Sequence, residues 1–166
     1  MKQYDRIIFV AQSGNCREPM AAGILEEYPL YHPVQVLARG LVVQFPEPMN
    51  QKAEAVLRGN NIPTEGFTSQ QLKKEDITPD TLVLAMETIY RNRVQERFPE
   101  LDEEHLDVLA HFVGDELETL DPYGGQLPNY GLCYESLRGS IRKLVRILNG
   151  EAPQLHADEQ IAGEQG

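Results

Sequence analysis

Ala11 to Arg17, A-Q-S-G-N-C-R, is a short polar, glycine-containing loop that follows an apolar run and ends on a guanidinium. A loop of this kind that closes onto a helix N-terminus aims several backbone N–H groups at one point. The helix dipole adds positive potential there. Arg17 at its end can grip a tetrahedral oxyanion through paired N–H donors. Gln12, Ser13, Gly14, Asn15, Cys16 and Arg17 are therefore candidate phosphate-binding residues; the alternative is a plain strand-to-helix turn with a solvated arginine. A second segment, L-D-P-Y-G-G from Leu120 to Gly125, offers the carboxyl group of Asp121. Taken alone, Asp121-Pro122 is ordinary turn chemistry. His32, His105, His111 and His156 show no ligand spacing, so no metal or other cofactor is expected.

The elements that must position these residues alternate between strand and helix. Arg6 to Ala11 (RIIFVA) is a continuous apolar run ending in a polar loop, the pattern of a buried parallel strand. A helix is predicted from Arg17 to Tyr28, with Pro19 in its first turn, where the missing N–H costs nothing. Val34 to Ala38 is a second strand, followed by a Pro-rich loop, Phe45 to Pro48. Asn50 is placed to cap a helix over Gln51 to Arg58 that stops at Gly59. Gly66 to Gln71 is expected as loop and Lys73 to Ile77 as one helical turn. Further strands are expected at Thr81 to Met86 and Leu106 to Ala110, with a helix over Glu87 to Phe98 between them. Leu137, Ile141, Leu144, Val145 and Leu148 have helical spacing in a last helix over Tyr130 to Asn149, which contains Cys133 as a core or near-core residue. The expected architecture is one α/β domain, residues 1–149: a three-layer fold with a central four-stranded parallel sheet and helices on both faces. Residues 150–166 have no apolar period and are expected to form a mobile acidic tail.

The whole chain has 166 residues and a formal net charge of -11. That surface repels nucleic acid and anionic membranes, and any anionic ligand needs a local positive site that overrides the field. No apolar run approaches the roughly 20 residues that span a bilayer, and the polar start shows no signal peptide. Two cysteines are too few for a disulfide scaffold, so a reduced, cytoplasmic chain is the default expectation. Oligomeric state is left open.

Taken together, Phe9 to Ala21 and the Asp-Pro-Tyr segment resemble the low-molecular-weight protein tyrosine phosphatases. In that family the first strand ends in Cys, five residues follow, then Arg-Ser-Pro, and a general-acid Asp lies in an Asp-Pro-Tyr or Asp-Pro-Phe segment just over a hundred residues on. L-A-R-G (Leu37 to Gly40), E-P-M-N-Q-K-A (Glu47 to Ala53) and T-L-V-L-A-M-E (Thr81 to Glu87) resemble its middle segments, and the Gly-Gly after Asp-Pro-Tyr resembles the bacterial branches. The resemblance covers about the first 148 residues. It implies that Ala11 holds the nucleophile position, that Arg17 binds phosphate, that Asp121 is the general acid, and that Phe45 and Tyr123 line the cleft wall unless they are simply packed.

Two departures follow. A methyl group at Ala11 cannot form the phosphocysteine that the family's thiolate forms. The resemblance makes Cys16 the family's second cysteine, which is not placed to rescue the reaction. The family's Arg-Ser-Pro is Arg17-Glu18-Pro19 here. A carboxylate close to the loop opposes dianion binding, unless Glu18 turns to solvent or pairs with Arg39. The Gly-Asn pair is shifted by one, putting Gly14 where the family's Asn has an unusual backbone conformation that glycine tolerates. Loss of both Cys and Ser favours a natural pseudophosphatase that binds phosphate, sulfate or a phosphorylated protein without turnover. An active enzyme whose Cys was engineered to Ala is a second reading, and a non-catalytic interaction protein with a vestigial loop is a third. Phosphotyrosine and phosphoarginine branches share the scaffold; Asn15, two before the arginine, matches neither preference.

Overall fold

In the computed structural model, which describes residues 2–150, four strands form one parallel sheet in the order β2-β1-β3-β4. The strands are β1 Arg6–Ala11, β2 Gln35–Gly40, β3 Thr81–Ala85 and β4 Leu106–Val108. The helices are α1 Arg17–Glu26, α2 Gln51–Gly59, α3 Thr88–Arg97, α4 Leu109–Val113 and α5 Leu127–Leu148, with a 3-10 turn at Lys74–Asp76. β1 lies between β2 and β3, in register from Arg6↔Gln35 to Ala11↔Gly40 on one side and from Arg6↔Thr81 to Val10↔Ala85 on the other.

A strand buried on both faces sends alternate side chains to opposite layers. Ile7, Phe9 and Ala11 pack with Leu82, Leu84, α1, α2 and α5, whereas Ile8 and Val10 pack with Val83, Ala85, Val94 of α3, Leu41 and Leu72. This is the expected three-layer arrangement. The long α5 lays Tyr130, Cys133, Tyr134, Leu137, Ile141 and Leu144 against the first layer. Asn50 caps α2 as its sequence suggests, accepting from the N–H groups of Lys52 and Ala53.

Several element boundaries differ from expectation; α1, for one, ends at Glu26 rather than Tyr28. The apolar run at Leu106 was expected to stay extended to Ala110, but β3 offers no ladder partner beyond Ala85↔Val108, and the chain turns into α4 at Leu109. Gly114, in the left-handed region at φ 82°, ends that helix. α5 starts at Leu127 rather than Tyr130, with Pro128 in its first turn and reciprocal hydrogen bonds between Gln126 and Asn129. β2 runs two residues further, to Gly40, because Ala11 continues the ladder there. The expected tail, apart from Gly150, lies outside the described residues, as does His156.

Candidate functional site

β1 ends at Ala11 and delivers residues 12–16 to the N-terminus of α1, beyond the carboxyl edge of the sheet, where α/β folds bind their ligands. Gly14 holds φ at 76°, and a Cβ there would lie 2.8 Å from the Gly40 nitrogen. A Cβ on Gly40 would in turn lie 2.6 Å from the Ser13 carbonyl carbon. The two glycines let the loop and the end of β2 touch backbone to backbone. Further bonds fix the loop: Asn50 N–H donates to the Asn15 carbonyl (2.8 Å), Ser13 Oγ to Asn15 Oδ1 (2.7 Å), and Arg93 to Gln12 Oε1 (2.9 Å).

Glu18 turns neither to solvent nor to Arg39. Its side chain is 1 % exposed and folds back under the loop. Oε2 accepts from the Gly14 N–H at 2.7 Å and Oε1 from the Cys16 N–H at 3.3 Å. Arg39 is engaged elsewhere, with Nε 3.0 Å from Asp76 Oδ2. Burial pushes the Glu18 carboxyl above its ordinary range, and the N–H bonds and Arg17 oppose that shift without cancelling it. Two of the loop's amide donors are thus already taken by a carboxyl group supplied by the chain itself.

Arg17 is also enclosed, at 3 % exposure. Its Nη1 donates to the Thr119 carbonyl and its Nη2 to Glu87 Oε2, both at 2.7 Å, and Nη2 lies 3.8 Å from Asp121 Oδ2. Burial works against the guanidinium charge, but the Glu87 hydrogen bond and the charges of Asp121 and Glu87 more than offset it. The structure therefore joins the Ala11–Arg17 loop to Asp121, 104 residues away by number, through one guanidinium. Asp121 Oδ1 accepts from the Tyr123 N–H, closing the turn. Phe45 and Tyr123 are exposed rather than packed.

Glu87 and Thr119 are missing from the sequence-derived site. Sheet order carried a signal for Glu87: β3 sits beside β1, so the residues just after β3 must arrive beside the loop that follows β1. The Thr119 contact uses a main-chain carbonyl and has no residue-type signature. Burial, then the Glu18 charge, pushes the Cys16 thiol up to about 12, and burial pushes the Cys133 thiol up to about 11. His32, His105 and His111 face different carboxylates, and the described residues hold no cluster of metal-ligating side chains. No described helix is long and apolar enough to cross a membrane.

The profile of the family described as low molecular weight phosphotyrosine protein phosphatase matches residues 6–155. The chain belongs to that family. The match runs past the expected domain boundary at residue 149. A protein-arginine-phosphatase of Geobacillus stearothermophilus is 33% identical over 146 residues, covering 88% of this chain and 97% of that protein. The Staphylococcus aureus low molecular weight protein-tyrosine-phosphatase PtpB is 28% identical over 143 residues, covering 86% and 99%. The solved YwlE arginine phosphatase from Geobacillus stearothermophilus superposes with a TM-score of 0.79 at 33% identity, covering 95% of this chain and 96% of that one.

Proposed function

We infer that this chain is a catalytically silent member of the phosphatase family that acts by binding. The observation carrying this reading is the pairing of Ala11 with an inward-folded Glu18. The position that needs a thiolate has a methyl group, and the anion beneath the loop is a carboxylate tied down by Gly14 and Cys16. A carboxylate can attack phosphorus in principle. Glu18, buried and with both oxygens held by N–H groups, is poorly disposed to do so. Phosphate, sulfate or a phosphorylated protein side chain reaches the loop in this reading only in competition with Glu18, and with Arg17 released from part of its contact with Glu87. The relatives named as tyrosine and arginine phosphatases support a phosphorylated protein as the ancestral ligand class.

The test is restoration. The parent protein should show no hydrolysis of an aryl phosphate or a phosphoarginine peptide above the buffer rate. Ala11→Cys alone should recover little, because the neighbouring carboxylate keeps the new thiol protonated. Ala11→Cys combined with Glu18→Ser should exceed Ala11→Cys by about tenfold or more, the usual scale for supporting groups around a nucleophile. Robust turnover by the parent would make it an enzyme with a different nucleophile and end this reading.

A further inference from the structure

Beside the loop, and sharing Glu87, Thr119 and Asp121 with the surroundings of Arg17, a cavity of about 710 Å³ opens between the segment 116–122 and the first turns of α5. On α5 its wall is Asn129, Leu132, Cys133 and Ser136, one helical face by spacing. Across from them stand Leu117, Leu120 and Pro122. Leu117, Leu120 and Leu132 are 83 %, 84 % and 71 % exposed. With Tyr123 and Leu127 they make five of the nine large exposed apolar side chains among the described residues, so the apolar exposure is concentrated here rather than scattered. The polar lining has a single sign: Glu87, Glu116, Glu118 and Asp121 line the cavity, and no Lys or Arg does. Glu87 and Asp121 face the single enclosed Arg17, and Glu118 accepts from the Thr88 N–H and lies 3.8 Å from His111, so the lining keeps a net negative charge.

We propose that this groove docks a basic, leucine-bearing peptide segment of another protein. Exposed leucines supply the area that an inserted aliphatic side chain removes from water, and the net negative lining attracts flanking Arg or Lys side chains. Charge selects this occupant over the others. Nucleic acid and anionic lipid meet four carboxylates on a chain of net charge -11. A second copy would bring the same acidic rim against itself. The chain's own residues 151–166 carry Glu151, Asp158, Glu159 and Glu164 and no Lys or Arg, so they are repelled as well. The leucines and Glu116 have no contact with the loop's anion chemistry, and the proposal holds whether or not the loop binds phosphate.

The experiment uses the full chain and three synthetic peptides of equal length: one with arginines and leucines, one with each leucine replaced by serine, and one with each arginine replaced by glutamate. Fluorescence anisotropy should show the arginine–leucine peptide binding about tenfold or more tighter than the serine peptide, the scale of one well-buried aliphatic side chain. The glutamate peptide should not bind, and added salt should weaken the first peptide's affinity. Amide shifts in the full chain should map to residues 116–122 and 129–136. Leu120→Ser and Leu132→Ser, both at exposed positions, should weaken the arginine–leucine peptide about tenfold while leaving the melting temperature unchanged; Tyr31→Ser, at a remote exposed site, should change neither. Equal binding of the serine peptide would reduce the groove to a diffuse acidic surface and overturn the proposal. Shifts mapping elsewhere, no binding at millimolar peptide, or self-association that Leu120→Ser abolishes would overturn it too.

Discussion

The two sides of Arg17 are built in opposite ways. On one side, the loop after β1 is closed on itself: Glu18 satisfies Gly14 and Cys16, Asn50 satisfies Asn15, and Gly14 and Gly40 meet backbone to backbone. On the other, the segment from Leu117 to Leu132 turns its leucines and one of its tyrosines to water and carries an acidic lining. Arg17 joins the sides through Thr119 and Asp121. Here the loop's Gly14 and Cys16 N–H groups are taken internally, while apolar side chains are left to water on the other side.

The hardest test of that contrast is a methyl group at the closed side. Gly40→Ala would put a Cβ 2.6 Å from the Ser13 carbonyl carbon and 2.7 Å from the Gly14 nitrogen, both main-chain atoms that have no rotamer to change. The expected cost is about 2–3 kcal/mol, the upper range for overpacking, read as a fall in the urea midpoint. A neutral outcome would show that the loop and β2 slide freely, and the loop could not then be called preorganised.

Glu18→Ser comes next, and sulfate is the right probe because its charge stays constant from pH 4 upward. Removing the internal carboxylate should tighten sulfate binding near neutral pH by about tenfold, or ~1.4 kcal/mol. The sign of the pH dependence follows from burial. Because the folded-state value of Glu18 is raised, its proton is held more tightly folded than unfolded. That contribution to stability is fully present below the unfolded value of about 4.3 and is lost as pH rises through the higher folded value. The parent's melting temperature should therefore fall, relative to Glu18→Ser, across that window. Sulfate affinity of the parent should rise towards that of Glu18→Ser as pH drops and the carboxyl loses its charge. Parallel pH profiles for the two proteins would mean that Glu18 does not compete for the loop.

How much of this could be read without coordinates depended on how local the cause was. Apolar runs at Arg6–Ala11 and Thr81–Ala85 and the helical spacing of α5 gave the layers, because burial on two faces or on one stripe writes itself into the residue order. The Ala11–Arg17 loop was legible for the same reason. The direction of Glu18 was not: three targets were within its reach, and the choice turned on Asp76, 37 residues after Arg39, having already taken that guanidinium. The run LDVLA at Leu106 reads as a strand throughout, and only the end of β3 decided where extension stopped. The groove left no pattern, since exposed leucines in an irregular segment look like ordinary composition until their neighbours are known.

The smallest effect concerns the open side and the start of α5, which sequence periodicity set three residues too late. With the helix beginning at Leu127, Gly131 lies in its interior, one turn in, and a Cβ there would meet nothing within 4 Å. Its φ is not in the left-handed region, so alanine is compatible with the backbone. Gly131→Ala should then stabilise the protein by about 0.5–1 kcal/mol, through lower unfolded-state entropy and better helix propensity. The sign is opposite to Gly40→Ala although the chemical change is the same, so the pair reads out the two environments directly. If the helix instead began at Tyr130, Gly131 would sit in the first turn and the gain would shrink towards zero. A melting-temperature rise therefore supports the helical face from Asn129 to Ser136 that walls the groove, and no rise would leave the position of Leu132 without its helical frame.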